Sequence, residues 1–259
     1  MLTASQVRHY WEKGYLVVEN LMGPEDCRRL IDSARDVVEG RVKTRGEVWI
    51  EEAAVAQGLV TEANRFHYLF KIGHQMHHTP GPFQEYATLP HLVRMLTQLI
   101  GPDVKCVQSM FIDKPPGTGT GQPYHQDAWY LKTTPDTLMA LWLALEDTDA
   151  ENGCLAVIPS SHTDPIHPVE EPSDPMQAKI FRITAVGAKE RPEVEVPLTA
   201  GSGVFFTGHV LHRSANNCSG RHRRAYVLHY ADARSKWLND PKAKNPHLLV
   251  AGREYPGAL

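Results

Sequence analysis

Tyr124-His125-Gln126-Asp127 places an imidazole and a carboxylate two residues apart. On a strand, side chains alternate with period two, so His125 and Asp127 are expected to share one face. A distant second histidine would complete a set of two histidines and one carboxylate. Such a facial set leaves the opposite side of a metal open, the arrangement that suits non-heme Fe(II) and O2 chemistry. His212-Arg213-Ser214 offers that histidine, and Arg223 follows eleven residues later, placed to grip the far carboxylate of a keto-acid cosubstrate.

Each assignment has a rival among the fourteen histidines of the chain. His209 and His229 lie in the same C-terminal region as His212 and stay open as the third ligand. His74, His77 and His78 form an H-x-x-H-H cluster that resembles a fragment of a zinc site. It lacks the H-E-x-x-H pattern and a nearby cysteine, so a structural role is the better reading. Arg221, Arg223 and Arg224 have a bland reading as a solvated turn. Against it, Arg223–Tyr230 has the texture of a core strand, so alternate arginines face inward and outward. An inward arginine needs an anionic partner, and a bidentate carboxylate suits its planar fork.

The elements that must hold these groups can be sketched. Residues 3–13 read as a helix, with Thr3 and Gln6 in capping-box spacing. Residues 14–19 read as a strand. Gly23-Pro24-Glu25-Asp26 opens a second helix whose Leu30, Ile31, Ala34, Val37 and Val38 give it a buried face. Residues 40–80 are less regular, and 82–101 contain a helix with Leu92, Val93, Leu96, Leu99 and Ile100 on one side and Gly101-Pro102 as its stop. From Asp103 onward short strands alternate with Gly, Pro and Asn: 104–113, 138–145, 154–158, 203–206 and 225–230. The Gly-rich run 117–121 leads into His125, and His212 opens a polar turn. Many short strands argue for a β-sandwich or barrel, with the early helices packed outside it. Residues 163–195, rich in Pro, Glu and Asp, read as a long lid-like insertion. They and residues 40–66 are expected to line the pocket mouth. Arg182, Arg213, Lys179 and Lys189 either meet an anion there or are solvated surface charge. One domain is expected over 1–259, with helices in 1–102 and a β core over 103–235.

Composition narrows the partners. Hydrophobic residues make up 42% and charged residues 22% of 259, an ordinary globular balance. The net charge of −3, with only Arg221–Arg224 as a basic run, disfavours nucleic acid and anionic membranes as partners. The N-terminus has no secretory h-region, and no apolar stretch is long enough for a bilayer. Cys27, Cys106, Cys154 and Cys218 form no C-x-x-C pair, which fits reduced thiols in a cytoplasmic protein. The oligomeric state stays open.

The ordered pieces resemble the phytanoyl-CoA dioxygenase family of Fe(II)/2-oxoglutarate oxygenases. They run from Tyr10…Gly14-Tyr15-Leu16-Val17-Val18 through Lys71-Ile72-Gly73-His74, Val107-Gln108-Ser109-Met110, Tyr124-His125-Gln126-Asp127 and Leu141–Asp147. They continue with Glu151-Asn152-Gly153-Cys154-Leu155, Ile158-Pro159-Ser160-Ser161-His162 and His212-Arg213-Ser214…Asn217…Arg223-Arg224-Ala225. The resemblance implies a mainly β fold with flanking α-helices around a double-stranded β-helix (jelly-roll, cupin-like) core. It implies His125, Asp127 and His212 as iron ligands, and Arg223 and Ser214 as holders of the 2-oxoglutarate 5-carboxylate. Lys71 and Trp142 match positions bordering the cosubstrate, and Gln108, Gln126 and Trp129 match positions that meet the prime substrate. Ser160 departs from the family's P-G-S-H pattern, where only a loop adjustment is expected. The implied reaction hydroxylates a small molecule with O2 while 2-oxoglutarate becomes succinate and CO2. Asp127 favours this over halogenation, because halogenase relatives replace that carboxylate with a small residue. Desaturation, cyclisation or epimerisation at the same iron site, a non-catalytic metal and 2-oxoglutarate sensor, and a zinc hydrolase using His74 or His209 are the rival functions. Acyl-CoA thioesters, zwitterions, phosphonates and natural products are the family's substrate classes.

Overall fold

A computed structural model describes residues 1–238 and 247–259. Two antiparallel sheets face each other. The larger has eight strands: β1 (Tyr15–Val18), β12 (Gly203–Thr207), β7 (Met139–Ala144), β14 (Arg223–Asp232), β4 (Val104–Lys114), β3 (Leu69–His74) and β2 (Glu47–Ile50) in spatial order, with β16 (Leu248–Ala251) added on β4. The smaller is β11 (Val194–Val196), β8 (Leu155–Val157), β13 (His212–Ser214) and β5 (Gln122–His125). Two short ribbons, β6 (Thr133–Thr134) with β15 (Lys236–Trp237) and β9 (Val169–Glu170) with β10 (Thr184–Ala185), border this core. The fold is the expected jelly-roll. No helix among the described residues is long and apolar enough to cross a membrane.

The period-two pattern explains both sides of the large sheet. On β7, Ala140, Trp142 and Ala144 face the sandwich interior with Leu155, Val157, Val204, Phe206, Ala225 and Val227. Met139, Leu141 and Leu143 face the helices. All six residues are buried, as expected for a strand covered on both faces. Helix α2 (Pro24–Val38) lays Leu30, Ala34 and Val37 on that outer face, and α5 (Pro90–Leu99) adds Leu92, Leu96 and Leu99. Helix α1 (Ala4–Lys13) starts with the expected Thr3/Gln6 capping box.

Three local expectations need correction. Beyond the helices and the strand expected over 14–19, seen as β1, residues 1–102 also supply β2 and β3 to the main sheet. The helix expected within 82–101 is α5, and a separate short helix α4 (Pro82–Ala87) precedes it, because Pro90 opens a new helix after Thr88 and Leu89. Asp127 is not on a strand: β5 ends at His125, and Asp127 begins the one-turn helix α6 (Asp127–Tyr130). His212 does not open a turn but starts strand β13. Helix α3 (Glu52–Ala56) and α7 (Pro175–Phe181) complete the set, α7 lying within the 163–195 insertion. Ser160 itself takes the left-handed conformation (φ 64°) that glycine would favour, so it fills the glycine place of the family pattern without rerouting the loop.

His77 sits at the junction of this core with β4. It is fully buried, and its Nδ1 lies 2.7 Å from Ser109 Oγ. Burial, then the neighbouring His78, hold it down at about 3, whereas an exposed imidazole titrates near 6.5. The unfolded chain therefore binds more protons than the folded one between those values. Stability from this group is full above pH 6.5 and is lost as pH falls toward 3. Thermal unfolding followed from pH 8 downward should show a flat Tm to about pH 6.5 and then a decline. His77→Gln should flatten part of that decline, and an unchanged slope would refute the assignment.

Candidate metal centre and cosubstrate pocket

The two ligand histidines arrive on neighbouring strands. On β13, His212 stands directly across from His125 on β5, and the two rings lie 4.1 Å apart between centroids. Each ring is set by the same local device. His125 Nδ1 lies 2.9 Å from Pro123 O, and His212 Nδ1 lies 2.9 Å from Val210 O. A carbonyl only accepts, so Nδ1 carries the hydrogen and Nε2 keeps its lone pair for a ligand. Asp127, at the start of α6, brings Oδ1 to 3.6 Å from His125 Nε2 and 3.8 Å from His212 Nε2. These spacings are long for hydrogen bonds but suit donors around a shared ion. Among the described residues this is the group whose ligand atoms all lie within 4.8 Å of one another. The Gln122 amide, 2.9 Å from His125 Nε2, holds the lone pair a metal would take and must yield it.

Electrostatics favour a metal over protons. Burial, then His212, push His125 down to about 3, so its ring is neutral at physiological pH. Burial alone would raise Asp127, but His229 first and then His212 outweigh it and hold the carboxyl below its usual range. The site offers the neutral His125 imidazole and an ionised Asp127, with His212 turning its Nε2 to the same point, a donor set that suits Fe(II).

His229 is a functional residue that sequence reasoning weighed only as a rival ligand. From β14 its Nε2 donates to Asp127 Oδ2 at 3.1 Å. That bond occupies one carboxylate oxygen and leaves Oδ1 for the ion. Its signal in the sequence is the inward stripe of β14: Arg223, Ala225, Val227 and His229 at period two.

Arg223 opens that stripe, 2% exposed, over the face of Trp142 at 5.3 Å. Among the described residues no carboxylate reaches it, and its Nε has no partner. Burial holds it down at about 10, and it remains charged. A buried, unpaired guanidinium is costly, so the pocket requires an anion, and a cosubstrate carboxylate fits. Ser214 and Trp142 border the same cavity of about 430 Å³. Lys71, from β3, also lines it, 4.3 Å over Trp49 and 3.4 Å from His74 Nε2, and burial lowers it to about 8.

The other expected residues separate. Gln108 lines the cavity. Gln126 does not: its amide donates to His209 O at 2.9 Å and its oxygen accepts from His167 N, so it braces the loops beside the centre. Trp129 packs edge-on against Tyr130, and it is Tyr130 that faces the cavity. His209 is paired with Asp136 at 2.5 Å, away from the ligand atoms. Of the expected mouth regions, 163–195 contributes Ile180 and Phe181, while the lining contains none of residues 40–66. Lys179 pairs with Glu52 and Arg213 with Glu193, so neither cation waits for an anion.

Comparison with known proteins gives a consistent picture. A family model described as Phytanoyl-CoA dioxygenase (PhyH) matches residues 10–225. Phytanoyl-CoA dioxygenase domain-containing protein 1 of Danio rerio is 30% identical over 267 residues, covering 90% of this chain and 91% of that protein. The non-heme alpha ketoglutarate dependent carbocyclase SnoK shares the fold, with TM-score 0.73, 20% identity and coverage of 96% of this chain and 97% of that one. The epimerase SnoN, solved in complex with Fe3+, alpha ketoglutarate and nogalamycin RO, shares it with TM-score 0.70, 18% identity and coverage of 97% and 94%.

The brace on Asp127 has a measurable consequence. His229→Phe should weaken Co(II) affinity by about 10- to 100-fold, read from the absorption of the bound ion under anaerobic titration. His229→Gln, which keeps a donor near Oδ2, should recover part of it. Unaltered affinity in His229→Phe would exclude the brace.

Proposed function

The chain belongs to the phytanoyl-CoA dioxygenase family of Fe(II)- and 2-oxoglutarate-dependent oxygenases, and on that premise we propose that it hydroxylates a small-molecule substrate. The observation that carries this reading is the complete facial set, His125, Asp127 and His212, next to a buried guanidinium without a protein anion. Iron and 2-oxoglutarate, when bound, supply oxidative decarboxylation, which consumes O2 and yields succinate, CO2 and an oxidant for a C–H bond.

The chain's own residues set the conditions for this chemistry. His125 and His212 present Nε2, and Asp127 presents Oδ1 while His229 holds Oδ2. Three protein donors leave places for a chelating keto acid and for O2. Arg223 and Ser214 fix the far carboxylate, and Trp142 covers the guanidinium. Phe70, Ile180 and Phe181 form an apolar wall that keeps water from the cavity. Lys71 stands at the cosubstrate border, and Gln108 is the polar group offered to the prime substrate. Because Asp127 fills the ligand place that a halide would need, hydroxylation is favoured over halogenation. Desaturation, cyclisation or epimerisation is the alternative outcome at the same centre, and product mass separates them. The net charge of −3 supports a small molecule over nucleic acid as the partner. Four free cysteines support a cytoplasmic location.

Incubation with Fe(II), 2-oxoglutarate and air across acyl-CoAs, zwitterions and phosphonates should give O2-dependent succinate. One panel member should stimulate it and gain one oxygen atom. Asp127→Ala should reduce substrate-coupled succinate by more than about 100-fold, since it removes a ligand and not merely its support. Full turnover in that variant would refute the ligand assignment. Tight 2-oxoglutarate binding without succinate on any substrate would instead indicate a sensor.

A further inference from the structure

We propose that Lys114 is a second cationic anchor for the far carboxylate of 2-oxoglutarate, acting beside Arg223 and setting the hydroxyl of Ser214. The proposal rests on the cosubstrate reading given above. Lys114 ends β4 and stands directly opposite Arg223 on β14. Both side chains are buried to within 2% and both line the same cavity. Among the described residues, neither has a carboxylate within ion-pair distance. The acids nearby are already engaged: Glu51 accepts from Thr120 N and Oγ1, and Asp113 from Arg224 and His222. Two buried cations facing each other across one strand pair repel, and an anion between them offsets that repulsion. Burial first, then Arg223, push the Lys114 amine well below the ordinary lysine value, which marks the same missing anion.

The amine also orients its neighbour. Lys114 Nζ lies 2.8 Å from Ser214 Oγ and also donates to Ala215 O. With an anion bound and Lys114 charged, the ammonium only donates, so Ser214 Oγ accepts from it and its hydroxyl hydrogen is free for an acceptor in the cavity. The backbone that carries Ser214 has little room to move. A Cβ at Gly121 would come within 2.7 Å of Ser214 O, and one at Gly153 within 2.4 Å of Ala215 O. Lys114, Ser214 and Arg223 thus form a preformed receptor for one carboxylate.

The test uses the full-length protein loaded with Zn(II), which binds the keto acid without redox turnover. Affinities for 2-oxoglutarate and for 2-oxopentanoate, which keeps the chelating end and lacks the far carboxylate, are measured by calorimetry. Lys114→Gln should weaken 2-oxoglutarate by about 10-fold or more and leave 2-oxopentanoate unchanged. Equal loss for both acids, or none, would reduce Lys114 to a structural tie and overturn the proposal. Should Lys114→Gln fail to fold, Arg223→Gln leaves Lys114 in place. It should retain a residual, salt-sensitive preference for 2-oxoglutarate, and absence of any such preference would likewise overturn it. If the unaltered protein binds neither acid, the cosubstrate reading itself fails, an outcome distinct from either variant result.

Discussion

The register of β13 is the constraint on which the centre depends. This three-residue strand pairs with β5 on one side and β8 on the other, and it sets His212 opposite His125. Side-chain direction on a strand has period two, so a slip of one residue would turn His212 and Ser214 out of the cavity and Arg213 into it. The neighbours oppose such a slip. Gly121 and Gly153 lie against the backbone of Ser214 and Ala215, and Arg213 is held by Glu193. The candidate metal ligand His212, the hydroxyl of Ser214 proposed for the cosubstrate and the Arg213–Glu193 ion pair therefore share one hydrogen-bonded alignment.

Charge is distributed along β14 in the same economical manner. Its inward stripe begins with Arg223 and ends with His229, so one strand carries the guanidinium proposed to hold the cosubstrate at one end and the partner of the Asp127 carboxylate at the other. The outward neighbour Arg224 meets Asp113 and Glu146 and is neutralised by the protein itself. Adjacent arginines of identical chemistry thus have opposite fates, decided by which face of the sheet each occupies. The large sheet is buried on both sides, and among the described residues the interior-facing Arg223 and Lys114 have no carboxylate in ion-pair range.

Much of this was legible in the chain, and what was not has physical reasons. Long β-branched and aromatic runs such as 104–113 and 225–230 announced central strands, the alternation along 223–230 required one of two adjacent arginines to turn inward, and the family resemblance pointed to Arg223. The Thr3/Gln6 cap and the Gly23-Pro24 start placed the first helices. β2 and β3 were hidden because both are short and gain their stability from pairing reached through β4, far along the chain. Asp127 escaped because a single helical turn has too few residues for periodicity to register. Lys114, between Asp113 and Pro115, has the local look of a surface lysine. Only the fold reveals that the backbone closes over it. Gln126 and Trp129, adjacent to the ligands in sequence, point away because the chain turns at that place from strand to helix.

Helix α7 carries Ile180 and Phe181 into the cavity, yet no metal or cosubstrate group belongs to it. It reaches the body of the protein through Phe181 against Phe70 and through the exposed Lys179–Glu52 pair. Part of the cavity wall is thus hung on the surface of the fold, while His125, His212 and Arg223 are sewn into its strands and Asp127 into the turn that follows β5. A lineage can therefore exchange that segment and explore new molecules without renegotiating the iron site.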